Sequence, residues 1–72
     1  MQTEFIIEYE DDLNKFSCEI NGIVRCSLFI QDLLDDIANL FDYVYEEQYS
    51  ESHYKVALEQ DLGIKINFNF EY

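Results

Sequence analysis

Sixteen of the 72 residues are Asp or Glu and only four are Lys or Arg. Any fold must therefore place most of its carboxylates where no cation can neutralise them. A formal charge of −12 drives a compact chain apart, so folding requires a core strong enough to oppose self-repulsion. The apolar content can build one. Hydrophobic residues make up 49% of the chain, with six Phe and six Tyr, a composition unlike that of acidic disordered segments. Pro is absent and Gly occurs twice, which excludes a low-complexity linker or a Pro-rich ligand. The length allows a single acidic domain over residues 1–72. In a domain this small nearly every large side chain is needed for one core, so neither an enzyme with a substrate cleft nor a cofactor is expected.

The charge also bounds the partners. A strongly acidic surface disfavours direct contact with nucleic acid and attachment to an anionic membrane. No apolar run approaches the ~20 residues of a membrane span. The start, Met1-Gln2-Thr3-Glu4, lacks the basic region of a signal peptide, and a cytoplasmic location is expected.

Thr3, Phe5, Ile7 and Tyr9 alternate with Glu4, Ile6, Glu8 and Glu10, the period of a half-buried strand. Asn21-Gly22 is a strong hairpin signal. A two-residue loop would pair Cys18 with Arg25 and put that cation on the face of Phe16 and Cys18. A three-residue loop, Ile20-Asn21-Gly22, pairs Cys18 with Val24 instead. It gathers Phe16, Cys18, Val24, Cys26 and Leu28 on a core face, and this register is expected. Asp32 is placed to cap a helix running to about Tyr45–Gln48, with Leu33, Ile37, Leu40, Phe41 and Val44 as its apolar stripe. Residues 49–62 read either as a helix capped by Ser50 or Ser52 and stopped at Gly63, or as a strand through Tyr54, Val56 and Leu58. The helix is the preferred reading. Ile64, Ile66, Phe68, Phe70 and Tyr72 alternate as a strand expected to pair inside the sheet. The fold class is α+β: a small antiparallel sheet of three to five strands, packed on one face by one or two helices.

The chemical inventory is sparse. Cys18 and Cys26 have neither zinc spacing nor a second Cys pair, and read as two buried free thiols. His53 is the single histidine. Its neighbours Ser50, Glu51 and Ser52 form a consecutive run, whereas catalytic triads assemble from spatial neighbours around an oxyanion site. Asp32, Asp35 and Asp36 are close together, but no calcium-loop spacing with its glycine exists and no metal site is expected.

What remains is the placement of the carboxylates. On the expected helix, Asp32, Asp35, Asp36, Asp42, Glu46 and Glu47 fall mostly off the apolar stripe, over roughly 21 Å at 1.5 Å per residue. On the first strand Glu4, Glu8 and Glu10 point one way, with same-face neighbours ~6.6 Å apart. Both intervals are close to the separation of phosphates along one nucleic-acid strand. Tyr43, Tyr45, Tyr49 and Tyr9 sit among these carboxylates, and Tyr is a favoured interface anchor. The candidate partner-binding residues are Asp32, Asp35, Asp36, Asp42, Tyr43, Glu46, Glu47, Tyr49, Glu8 and Glu10. A solvated acidic face is the plainer alternative. The expected partner is a basic protein met by fast, salt-sensitive association, the chain itself being a monomer or dimer.

In size, charge, compact α+β build and acidic helix, the chain resembles the small acidic inhibitors made by bacteriophages, anti-CRISPR proteins among them. The resemblance is one of general character and carries no defined motif. It implies a non-enzymatic DNA mimic, acting in the host cytoplasm, that binds a CRISPR effector or another nucleic-acid-binding enzyme. Blocking of target-DNA or PAM recognition would follow, since such effectors read the PAM with arginines in a basic channel. Two other readings fit the same surface. One is an immunity protein or antitoxin covering a basic nuclease toxin. The other is an acidic adaptor subunit, which would expose a large apolar patch.

Overall fold

The computed structural model of the protein describes residues 2–45 and 50–70. The elements run β1 (Glu4–Glu10), β2 (Lys15–Ile20), β3 (Ile23–Ser27), α1 (Ile30–Leu40), α2 (Glu51–Leu62) and β4 (Lys65–Asn69). The strands form one four-stranded sheet in the order β3-β2-β1-β4. Both helices lie on one face of it, giving the expected α+β architecture. The β1–β2 and β2–β3 pairs are antiparallel. The β1–β4 pair is parallel, so the sheet is mixed. β4 is an edge strand, not the interior one expected. Alternation reports that a strand has one buried face and says nothing of how many neighbours it has.

The central strand is β1, whose Phe5 and Ile7 are fully buried while Glu4, Ile6 and Glu8 face outward. Cys18 and Ile20 of β2 and Ile66 of β4 join the same core face. Leu33, Leu34 and Ile37 of α1 and Tyr54 and Leu58 of α2 close over them. No residue of β3 belongs to this core. Beyond the helices' cover, rings of Tyr9, Phe16, Phe70 and Phe68 continue the layer, with neighbouring centroids 5.0–5.5 Å apart. Lys55 Nζ stands 5.8 Å from the centre of the Phe68 ring.

The hairpin has the two-residue loop rather than the expected three-residue one. Ile20 pairs with Ile23 and Cys18 with Arg25. Asn21 and Gly22 both have positive φ, 53° and 82°, the backbone of a two-residue type I′ turn whose twist matches the strands it joins. Arg25 on the face of Cys18 is accommodated because β3 is an edge strand at the margin of the helix layer, where Arg25 is exposed. Consequently Val24, Cys26 and Leu28 are exposed rather than core residues.

α1 is shorter than its periodicity predicts. It ends at Leu40, and Asp42 adopts a left-handed conformation with φ 54°. Tyr43 N–H donates to the Ala38 carbonyl at 2.9 Å and Asp42 N–H to Asn39 at 3.2 Å, the paired bonds of a Schellman stop. Val44, expected in the apolar stripe, is 76% exposed. At the other end Phe29, not Asp32, holds the N-cap position. Asp32 lies inside the first turn, and Ser27 Oγ donates to its carboxylate at 2.6 Å. Glu46, Glu47, Gln48 and Tyr49 lie outside the described residues.

Residues 51–62 are helical, as preferred. Ser50 is the N-cap residue, and its Oγ lies 2.8 Å from His53 Nδ1. Gly63, at φ 66°, closes the helix with its N–H on the Glu59 carbonyl at 3.0 Å. Among the described residues no helix is long and apolar enough to cross a membrane.

Candidate functional site

With both helices on one face, no element among the described residues covers the other face of the sheet. Strand geometry decides what stands there. The odd residues of β1 enter the core, so Glu4, Ile6, Glu8 and Glu10 project from the open face, spanning ~20 Å at 3.3 Å per residue. The ladder pairs Ile7 with Cys18 and Glu8 with Ser17. Glu19 therefore falls next in line, beside Ile6, in the gap between Glu4 and Glu8. The result is a row staggered over two strands, Glu4, Glu19, Glu8, Glu10, with Ile6 beside Glu19. All four are exposed. Ser17 Oγ donates to Glu10 Oε1 at 3.1 Å. The row borders a shallow recess of about 550 Å³ whose floor includes Ile6 and Val24.

Gln2 fixes the start of this row. Its amide nitrogen donates to the carbonyls of Glu4 and Glu19 at 3.0 and 2.9 Å, and its oxygen accepts Asn21 N–H at 2.8 Å. One side chain thus ties β1 to the end of the hairpin and sets Glu4 against Glu19. Two lysines bracket the row, Lys65 opposite Glu4 and Lys15 opposite Glu10. Neither makes an ion pair: among the described residues the one such pair is Lys55–Glu59, at 3.0 Å on α2. Among the described residues the middle of the row makes no ion pair.

The carboxylates predicted on the helix are placed differently. Asp32 is exposed, with its Ser27 contact. Asp35 is half-buried and accepts the Tyr54 hydroxyl at 2.7 Å, so it serves to join α1 to α2. Burial first, and then this bond to a carboxylate, push the Tyr54 phenol well above the usual tyrosine range. Asp36 is half-buried on α1. Asp42 sits in the turn after the helix rather than on it. Tyr43 is half-buried and donates to Asp61 at 2.6 Å. Tyr45 stacks on Tyr54 with centroids 4.6 Å apart. These tyrosines fasten the helix pair. Glu46, Glu47 and Tyr49 lie outside the described residues.

The candidate residues therefore fall on two surfaces. Glu8 and Glu10 share the open sheet face with Glu4 and Glu19, while Asp32, Asp35 and Asp36 belong to the helix layer on the opposite side. Glu19 was legible as an outward residue, but its place in the row depends on the β1–β2 register, which no local pattern supplies.

Among the described residues no group of three His, Cys, Asp or Glu side chains could hold a metal ion. Cys18 and Cys26 are both free; Cys18 is buried, whereas Cys26 is exposed, against expectation, because it lies on the edge strand. Burial pushes the Cys18 thiol up to about 11. Comparison of the chain with protein-family models, with curated proteins and with solved structures finds no match.

Proposed function

We propose that the protein is a non-enzymatic inhibitor that binds a basic nucleic-acid-handling protein through the open sheet face and occupies the place of DNA or RNA there. The observation that carries this reading is the row Glu4, Glu19, Glu8 and Glu10. Its carboxylates are exposed and free of ion pairs among the described residues, on strand positions ~6.6–8 Å apart, near the interval of phosphates along a strand. Ile6 and Val24 beside it, 41% and 65% exposed, give a partner apolar contact between the charges. Glu8 and Glu10 stay in the proposed site, and Glu4 and Glu19 join them. Asp32 and Asp36 form a lesser acidic surface on the other side. By size and charge the class of inhibitor is anti-CRISPR-like, encoded by a phage and acting on a CRISPR effector in the host cytoplasm.

The test is capture of partners by the tagged protein from nuclease-treated bacterial lysates containing CRISPR effectors and common nucleases. A basic nucleic-acid enzyme should be retained at ~50 mM salt and released by ~500 mM, because the contact is electrostatic. The captured enzyme should lose DNA binding when the inhibitor is added. Capture of one basic toxin that is neutralised without competition for nucleic acid would favour an immunity protein. Capture indifferent to salt would argue against the mimic.

A further inference from the structure

The two edges of the sheet are finished differently. At the β4 edge, Ile66 N–H is taken by the Glu59 carboxylate of α2 at 3.0 Å, and exposed Lys65 and Asn69 stand along the strand. Among the described residues nothing covers the β3 edge in this way. In a two-residue hairpin the pair flanking the turn is hydrogen-bonded, so Ile23, Arg25 and Ser27 direct their backbone groups to β2. Val24 and Cys26 direct theirs away from the sheet, and among the described residues no backbone or side-chain group bonds them. Edge strands are ordinarily blunted by Lys, Pro, a bulge or inward charge. Of these β3 carries one charge, Arg25 on the face of Cys18, while Ile23, Val24, Leu28 and Phe29 along it are 55%, 65%, 58% and 65% exposed.

The charge distribution says what can cover this edge. The twelve residues Ile20–Gln31 are the longest stretch without a carboxylate, and they contain Arg25. A basic partner drawn to the glutamate row finds no carboxylate to pair with along this edge. Two copies of a chain carrying −12 repel over most of their surface, and this edge is where they can approach.

We propose that β3 pairs antiparallel with β3 of a second copy, about a two-fold axis at Cys26, joining the two sheets into one. Outward-facing residues must form the hydrogen-bonded pairs. An axis at Arg25 would set two guanidinium groups against each other. An axis at Cys26 instead places Arg25 beside Ser27 of the second copy and Val24 beside its Leu28. Both glutamate rows then lie on the same side of the joined sheet.

Sedimentation equilibrium of the full chain under reducing conditions, from about 1 μM to about 1 mM, tests this. The expected result is a concentration-dependent dimer that strengthens with NaCl, since salt screens repulsion between the copies. That salt response is opposite to the one expected for a basic partner, so the two ideas fail separately. Val24→Pro removes an outward N–H without touching a bond to β2. Phe29→Asp exchanges an exposed ring for a better N-cap, so α1 is kept. Each should raise the dimer dissociation constant at least about tenfold, while Asn69→Lys at the β4 edge leaves it unchanged. A monomer throughout the range overturns the proposal. So does a dimer that survives Phe29→Asp and Val24→Pro in folded chains, or one lost only on Asn69→Lys.

Discussion

At the residue scale, the surroundings of three side chains set their chemistry. Cys18 is buried with its thiol pushed up to about 11, whereas Cys26 is exposed. An alkylating reagent at pH 8 should therefore label Cys26 rapidly and Cys18 slowly, as read by mass spectrometry. Equal rates would contradict the edge position of β3. Tyr54 is neutral in the fold by burial and by its bond to Asp35. Raised folded pKa values favour the protonated forms. Their contribution is therefore complete below the ordinary values, 9.0 for Cys18 and 10.0 for Tyr54. It is lost as pH rises beyond them. The thermal midpoint should decline above about pH 9, and Tyr54→Phe should flatten that decline. At neutral pH the same substitution should cost about 1–2 kcal/mol, because Asp35 loses its donor.

At the scale of elements, the ends of strands and helices are where local pattern and structure part. The core face of β1, the helix 51–62 and its stop at Gly63 are legible, because burial and turn chemistry act on the residues that carry the pattern. The hairpin register is not. Its choice turned on whether β3 has a buried face, a property of its neighbours. The parallel β1–β4 pairing is hidden for the same reason. The end of α1 is hidden because Leu40, Phe41 and Val44 keep helical spacing past the true stop. The site is half legible: Glu4, Glu8 and Glu10 on one side follow from alternation, while Glu19 between them follows only from register. Asp42 offers a direct check. A left-handed aspartate at φ 54° is strained where glycine is not, so Asp42→Gly should stabilise the chain by about 0.5–1 kcal/mol in denaturant unfolding. Loss of stability would mean that the aspartate side chain is needed at that turn. Glu59 joins two elements. Its burial raises its pKa, but Ile66 N–H and Lys55 outweigh this and lower it. A lowered carboxylate contributes stability above its ordinary pKa and loses it as pH falls through the folded value. Glu59→Gln should therefore lower stability at pH 7 more than at pH 3. An equal loss at both would mean that the charge is immaterial to the Ile66 contact.

For the molecule as a whole, charge and layering act together. Two helices shield one face of the sheet, and the carboxylates of the other face have no compensating ion pairs among the described residues. Folding should therefore strengthen as NaCl rises from ~20 to ~300 mM, where screening reaches neighbouring carboxylates. A flat response would mean that the charges are held too far apart to matter. The same unrelieved repulsion is what a cationic channel would remove on binding, which links marginal self-repulsion in the free chain to fast, steered association.

The most direct measurement of the central claim compares two charge reversals in the capture experiment at low salt. Glu8→Lys with Glu19→Lys alters the middle of the open-face row; Asp32→Lys with Asp36→Lys alters the helix layer by the same charge. The first pair should lose the captured basic enzyme, by tenfold or more in affinity, and the second should capture it near-normally. Capture unaffected by the sheet-face pair, or lost only with the helix pair, would contradict that claim.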